Sequence, residues 1–257
     1  MLALISPAKR LDFQAPSPAS KHSLPGFLQE SKTLISELRK MAPAEIARLM
    51  HISADLADLN HQRYAQWHTP FDARNAKAAV FAFNGDVYMG LQAHNLTTRD
   101  ITWMQKRVRI LSGLYGLLRP LDLIQPYRLE MGTALQTTRG TNLYGFWGET
   151  ITDAVNQALQ AEPKPILINL ASQEYYASID PARINARIIT PTFKERRDGE
   201  VRFISFSAKK ARGLMVRYMV QNRISSLKGL KGFNSEGYTF SEAESQGDHW
   251  VFLRDAP

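Results

Sequence analysis

Ile166-Leu167-Ile168-Asn169-Leu170 would point apolar side chains to both sides of an extended chain, so a strand built from it must be covered on both faces. Residues 2 to 6 form a second such run, ended by Pro7, and read as a buried first strand. Sheets with buried strands need helices packed over them, and helical patterns are present. Phe27, Leu28, Leu34, Ile35, Leu38 and Met41 recur at helical spacing, as do Leu56, Leu59, Tyr64 and Trp67. Helical patterns return over 99 to 108 and 147 to 159, whereas 15 to 26, rich in Pro and Ser, reads as a loop. Residues 79 to 83, 187 to 193, 201 to 206, 238 to 240 and 250 to 253 read as further strands. Asn84-Gly85-Asp86 reads as a turn leading into 87 to 91, and Asp198-Gly199 as the turn of a hairpin. Strands and helices interleave irregularly, without a linker, a composition break or an internal repeat. The pattern predicts one α+β domain over 1 to 257, a mixed β-sheet surrounded by helices.

Charge is the next constraint. The net charge is +8, and 201 to 240 hold Arg202, Lys209, Lys210, Arg212, Arg217, Arg223, Lys228 and Lys231 against Glu236 alone. A helix over 206 to 223 would gather Lys209, Lys210, Arg212, Arg217 and Arg223 within an arc of roughly 160°. Ala211, Leu214, Met215, Tyr218 and Met219 would form its apolar side. Gly213 falls inside the cationic arc, where the missing side chain would let a partner approach the backbone. An idle solvated face mixes Glu with Lys, whereas this one is single-signed. A second basic block, 101 to 140, could join it in space, and a pI near 9.7 with such clustering is the footprint of a polyanion binder, most often nucleic acid. The competing reading is a solvated face with no partner.

Composition narrows the chemistry. There is no cysteine, which removes disulfides, thiol redox chemistry and Cys zinc sites. The six histidines are scattered without metal-site spacing, so neither a metal nor another cofactor is implied. The first ten residues run apolar then cationic, the reverse of a signal peptide, and no apolar stretch is long enough to span a membrane. The expectation is a cytoplasmic protein without a membrane partner.

Two places could carry chemistry. In the first, Ser112-Gly113-Leu114-Tyr115-Gly116 sets two glycines three apart among Arg107, Arg109, Arg119 and Arg128, as a phosphate-binding turn would. It resembles the turn of a helix-hairpin-helix element, with one residue more between the glycines than that consensus. A plain turn closing a core element fits as well, and Arg128 with Glu130 reads as a structural pair. In the second, polar residues gather at presumed strand ends: Ser6 and Lys9; Asn169, Ser172, Glu174 and Tyr175; Asn234, Ser235 and Glu236. Ligands of open sheets sit beyond the carboxyl ends of parallel strands, so Lys9, Glu174 and Glu236 are the acid-base candidates if they converge.

Seven ordered words then become recognisable: Leu4-Ile5-Ser6-Pro7-Ala8-Lys9, Leu111-Ser112-Gly113-Leu114-Tyr115-Gly116, Leu118-Arg119-Pro120-Leu121-Asp122, Gln125-Pro126-Tyr127-Arg128-Leu129-Glu130-Met131-Gly132, Ile168-Asn169-Leu170-Ala171-Ser172, Ala208-Lys209-Lys210-Ala211-Arg212-Gly213-Leu214-Met215 and Gly232-Phe233-Asn234-Ser235-Glu236-Gly237-Tyr238. In order and spacing the chain resembles the peroxide stress protein YaaA family of bacteria. The resemblance implies a cytoplasmic protein that limits oxidative damage to DNA and proteins during hydrogen peroxide stress and is linked to low unincorporated iron. It also implies DNA binding through a positively charged cleft and a helix-hairpin-helix-like element, which would map onto 111 to 116, with the cationic helix at 209 to 217. Without thiols or a metal site such protection would be indirect.

The reading that follows is a DNA-binding protein, more a binder than an enzyme. Phosphate contacts would come from Arg107, Arg109, Arg119, Arg128, Lys209, Lys210, Arg212 and Arg217 and from the Ser112 to Gly116 turn, without strong sequence specificity. Tyr115 or Tyr127 would offer stacking surfaces to unpaired bases. The alternative is an enzyme acting on nucleic acid or a nucleotide, of glycosidase or nuclease type, using Lys9, Glu174 or Glu236 in a polar crevice beside the basic helix. Convergence of those groups in one cleft is what separates the two.

Overall fold

A computed structural model describes residues 1–19, 21–160 and 164–256. Ser20, within the 15 to 26 loop reading, lies outside the described residues. The strands are β1 (Leu2–Ile5), β2 (Lys77–Ala78), β3 (Val108–Ser112), β4 (Gly116–Leu118), β5 (Leu123–Ile124), β6 (Ile166–Leu170), β7 (Arg187–Arg197), β8 (Glu200–Arg202), β9 (Thr239–Gln246) and β10 (His249–Asp255). The helices are α1 (Leu28–Arg39), α2 (Pro43–Met50), α3 (Ala54–Gln66), α4 (Ala79–Ala82), α5 (Asp86–Leu91), α6 (Thr98–Arg107), α7 (Leu143–Trp147), α8 (Thr150–Leu159), α9 (Gln173–Tyr176), α10 (Ser205–Gln221) and α11 (Leu227–Lys231).

The two doubly apolar runs lie side by side in the centre of the main sheet. Its order is β4-β3-β1-β6-β7-β10-β9, with β8 on β7. Ala3 of β1 stands opposite Val108 on one side and Ile168 on the other, both parallel, and all four residues of β1 are buried. β6 with β7 and β7 with β10 are parallel too, while β4 and β9 run antiparallel at the edges. The parallel centre makes this an α/β rather than an α+β arrangement, a mixed sheet flanked by helices in a single domain. Numbered among themselves, the five parallel strands run 2-1-3-4-5. The chain therefore leaves β1 to one side for β3 and comes back on the other for β6. That reversal leaves a crevice beyond the carboxyl ends of β1 and β6.

Several local readings hold and others are corrected. Asp198 and Gly199 (φ 51° and 81°) make the turn between β7 and β8. Residues 79 to 83, read as a strand, contain helix α4, whose four residues are all buried; a short run apolar on every side suits either element. The strand read over 201 to 206 ends at Arg202, because Ser205 opens α10.

The helix-hairpin-helix expected at 111 to 116 is instead a β-hairpin joining β3 to β4. Gly116 has a φ of +67°, a backbone position that favours glycine, and Trp147 packs against it. A Cβ on Gly113 would lie 2.3 Å from the Leu129 carbonyl oxygen, so this turn is closed by the core on both sides. A helix pair joined by a short turn does occur at α2 and α3, where His51 ends α2 at φ 52° and Ser53 caps α3. Exposed Glu45, Asp55 and Asp58 decorate that pair, a poor surround for phosphate.

Helix α10 lies directly on α5. Gly213 and Gly90 meet at the crossing: a Cβ on Gly213 would stand 1.8 Å from the Val87 carbonyl oxygen, and one on Gly90 would stand 2.1 Å from that of Lys210. The close partner anticipated for Gly213 is thus another helix of the same chain.

Candidate functional site

Four segments surround the crevice at the β1/β6 reversal. They are the loop after β1 (Ser6 to Arg10), the start of α5 (Asn84 to Tyr88), the turn into α9 (Ser172 to Tyr175), and Lys209 with Arg212 of α10, around a cleft of about 390 Å³. Parallel pairing of β1 and β6 puts their exits together. The Ser172 backbone N–H donates to Ser6 Oγ at 2.8 Å, and Ser6 Oγ donates to Ser172 Oγ at 3.2 Å. Tyr88 Oη donates to the Ser6 carbonyl at 3.2 Å. Burial pushes the hydroxyls of Tyr88 and Tyr175 well above the ordinary tyrosine range, so both stay neutral. The cleft is thus built on neutral hydroxyls and rimmed by charge.

Lys9 and Glu174 share this cleft with Lys209 and Arg212. Glu174 Oε1 accepts from the Gly132 N–H at 3.1 Å. Lys9 Nζ lies 3.0 Å from Glu130 Oε1, which also takes Arg128 Nη2 at 2.8 Å, so the structural pair expected of Arg128 and Glu130 has Lys9 as a third member. Glu236 does not line the cleft. Its carboxylate takes Lys210 Nζ at 2.5 Å and Arg254 Nη1 at 3.3 Å, and it sits at φ 51° in a tight turn.

The cationic arc of α10 looks different once its neighbours are in place. Lys210 is held by Glu236, Arg223 by Asp100 at 2.8 Å, and Arg217 Nη1 donates to the carbonyls of Leu91 and Gln92 at the end of α5. Lys209 and Arg212 are left, and neither has a hydrogen-bond or ion-pair partner among the described residues. Arg212 is partly buried, and that burial lowers its pKa with no carboxylate to offset it. Carboxylates outside α10 hold two of the five arc cations and backbone carbonyls hold a third, leaving the two that face the cleft.

The other sequence candidates lie elsewhere. Ser112, Leu114 and Tyr115 are fully buried, and Gly113 and Gly116 are closed in as described. Ser112 Oγ bonds Tyr127 Oη at 2.7 Å and accepts from the Tyr115 N–H at 3.0 Å, so this turn offers no donors to an outside phosphate. Tyr115 and Tyr127 form an edge-to-face pair in the core and present no stacking face. Arg107 donates to the Met1 carbonyl and lies over Trp103, and Arg109 donates to the carbonyls of Gln105 and Val108. Arg119 pairs with buried Asp122 at 2.9 Å. Arg10, Asn84, Asp86 and Tyr88 line the cleft without having been singled out. Their signal is the strand order, which no local motif carries. Among the described residues no group of three His, Asp or Glu is placed to hold a metal ion, and no helix is long and apolar enough to cross a membrane.

The family model described as peroxide stress protein YaaA matches residues 1–244. A UPF0246 protein of Neisseria meningitidis is 54% identical over 99% of this chain and 98% of its own length. UPF0246 proteins of Cellvibrio japonicus and Ralstonia nicotianae are each 51% identical, covering both chains completely.

Proposed function

The chain belongs to the peroxide stress protein YaaA family, and we propose that it serves the peroxide response as a cytoplasmic DNA-binding protein whose phosphate contacts centre on the cleft at the β1/β6 reversal. Protection of DNA and proteins and the lowering of unincorporated iron follow downstream of that binding. The observation that carries the reading is the pair Lys209 and Arg212, two cations without partners among the described residues, beside Lys9 and Arg10. A partly buried guanidinium without an anion is unfavourable on its own, and a phosphate oxygen supplies the missing acceptor. Such contacts hold a backbone without reading bases.

Four phosphate contacts predict a fall in DNA affinity of about 150-fold between 50 and 200 mM salt, from a slope near −0.9 per contact. In the Lys209→Ala, Arg212→Ala double variant the fall should shrink to about 12-fold, measured by fluorescence anisotropy. The Lys210→Ala, Arg217→Ala double variant, which removes cations already engaged within the chain, should keep the natural slope. Equal slopes for all three proteins would sink the reading.

A second reading, an enzyme acting on a nucleotide or nucleic acid, is favoured by Lys9 and Glu174 lying in the same cleft as those cations. It requires product released from an oligonucleotide by the natural protein and not by Glu174→Gln. Substrate returned intact by the natural protein removes it.

A further inference from the structure

A second and larger cleft, about 540 Å³, is walled by the segment after β1, the end of α3, residues 73 to 78 and Gln125. Its ionisable lining is Lys21, His22, Arg63, His68, Arg74 and Lys77, with no carboxylate among them. Two of these cations have work within the fold. Lys77, almost wholly buried, donates to the carbonyls of Asp12 and Ala15 at 2.8 and 2.7 Å, and Arg74 pairs with Asp72 at 2.6 Å.

Arg63 is different. Its guanidinium is partly buried, carries five N–H donors and, among the described residues, makes a single hydrogen bond, 3.3 Å to Asn60 Oδ1. Burial pushes its pKa down, against an upward push from neighbouring Tyr64, and the guanidinium of Arg128 adds a smaller downward one. The Nε of Arg128 is itself buried without an acceptor. Arg128 has Glu130 as its counter-ion, whereas Arg63 lines a cleft with no carboxylate in its lining, an arrangement that an incoming anion relieves. A planar guanidinium fork matches two phosphate oxygens at once. The cleft is also far larger than inorganic phosphate needs, and Phe13, Trp67, Leu123 and Pro126 give it an apolar wall.

We propose that this cleft binds an organic phosphate, its phosphoryl group on Arg63 with Lys21 and His22 at the rim, and its carbon body against Phe13 and Pro126. The site is separate from the DNA cleft, and nothing in the sequence singled it out, because Arg63 reads as one more solvated charge on α3.

AMP is the probe, titrated calorimetrically into the full chain alongside adenosine and inorganic phosphate. One AMP should bind per chain, with adenosine and inorganic phosphate each at least tenfold weaker. Arg63→Gln should weaken AMP at least tenfold while melting near the natural temperature. Lys21→Glu, at an exposed position, provides the same test should Arg63→Gln fail to fold. The Lys209→Ala, Arg212→Ala variant should bind AMP as the natural protein does. No AMP binding, full binding by Lys21→Glu and Arg63→Gln, or loss confined to the double variant in α10 would each overturn the assignment. Adenosine binding as well as AMP would remove the phosphate from it, and inorganic phosphate binding as well as AMP would remove the carbon body.

Discussion

Gly213→Ala is expected to lower the stability of the protein by at least about 3 kcal/mol, although alanine is the better helix former by about 1 kcal/mol. The added Cβ would stand 1.8 Å from the Val87 carbonyl oxygen and 2.7 Å from the Leu91 nitrogen. Both are backbone atoms of α5, so no rotamer relieves the clash and the helices must move apart by more than 1 Å. Gly90 faces the same crossing from the other side, 2.1 Å from the Lys210 carbonyl, and Gly90→Ala should behave alike. At this chain length a 3 kcal/mol loss corresponds to a melting temperature lower by roughly 6–12 °C. A shift below about 2 °C, or a stabilisation, would show that the helices do not touch as described. The separation should also carry Lys209 and Arg212 away from the loop after β1, so any of the variant that stays folded should show the shallower salt dependence of the Lys209→Ala, Arg212→Ala protein.

The same crossing illustrates what the chain discloses locally and what it withholds. Residues 2 to 5 and 166 to 170 announce a doubly covered sheet, because apolar side chains on both sides of a strand have no other resting place. The amphipathic stretch of α10 and the Asp198-Gly199 turn are equally legible, since their signals are the spacing of side chains and a residue that tolerates positive φ. Misreadings begin where two structures share one pattern. Residues 79 to 82 are apolar throughout, which suits a buried helix as well as a buried strand. Gly113 and Gly116 announce a tight approach without saying whether the neighbour is a phosphate or Leu129 and Trp147. The cationic arc misleads for the same reason at longer range. Its acids, Asp100 and Glu236, lie 123 and 26 residues away from the arginine and lysine they hold, so a local charge count overstates what faces water. The placement of Lys9 and Glu174 on one cleft depends on β1 pairing with β6 across most of the chain. Only the strand order fixes that.

Acid should remove a few kcal/mol of stability through Glu195 alone. This carboxylate, 1% exposed, accepts from Arg197 Nη2 and Nε at 2.6 and 2.9 Å on one oxygen and from Arg254 Nη2 at 2.7 Å on the other. Burial by itself would raise its pKa, but Ser207, Arg254 and Arg197 outweigh that and hold it at about 2, below the ordinary 4.5. A folded pKa below the unfolded one means that the folded state favours the charged form. The stabilisation is therefore complete above about pH 4.5 and disappears as pH falls toward 2, a loss of about 3 kcal/mol. Urea unfolding of the natural protein between pH 6 and pH 2 should show this acid limb. Glu195→Gln should lose about 3 kcal/mol or more at neutral pH, since it strands two arginines, and its own curve should be flatter over the acid range by the same amount. An acid limb equally steep in the variant would place the titration on another carboxylate. The network has a functional consequence as well. Ser207 lies in the first turn of α10, Arg254 reaches on to Glu236, and Glu236 holds Lys210, so Glu195 and Glu236 together clamp the end of the helix that presents Lys209 and Arg212. Glu195→Gln should therefore also weaken DNA binding at neutral pH in the molecules that stay folded, whereas full affinity in that variant would show that this carboxylate leaves the position of α10 unaffected.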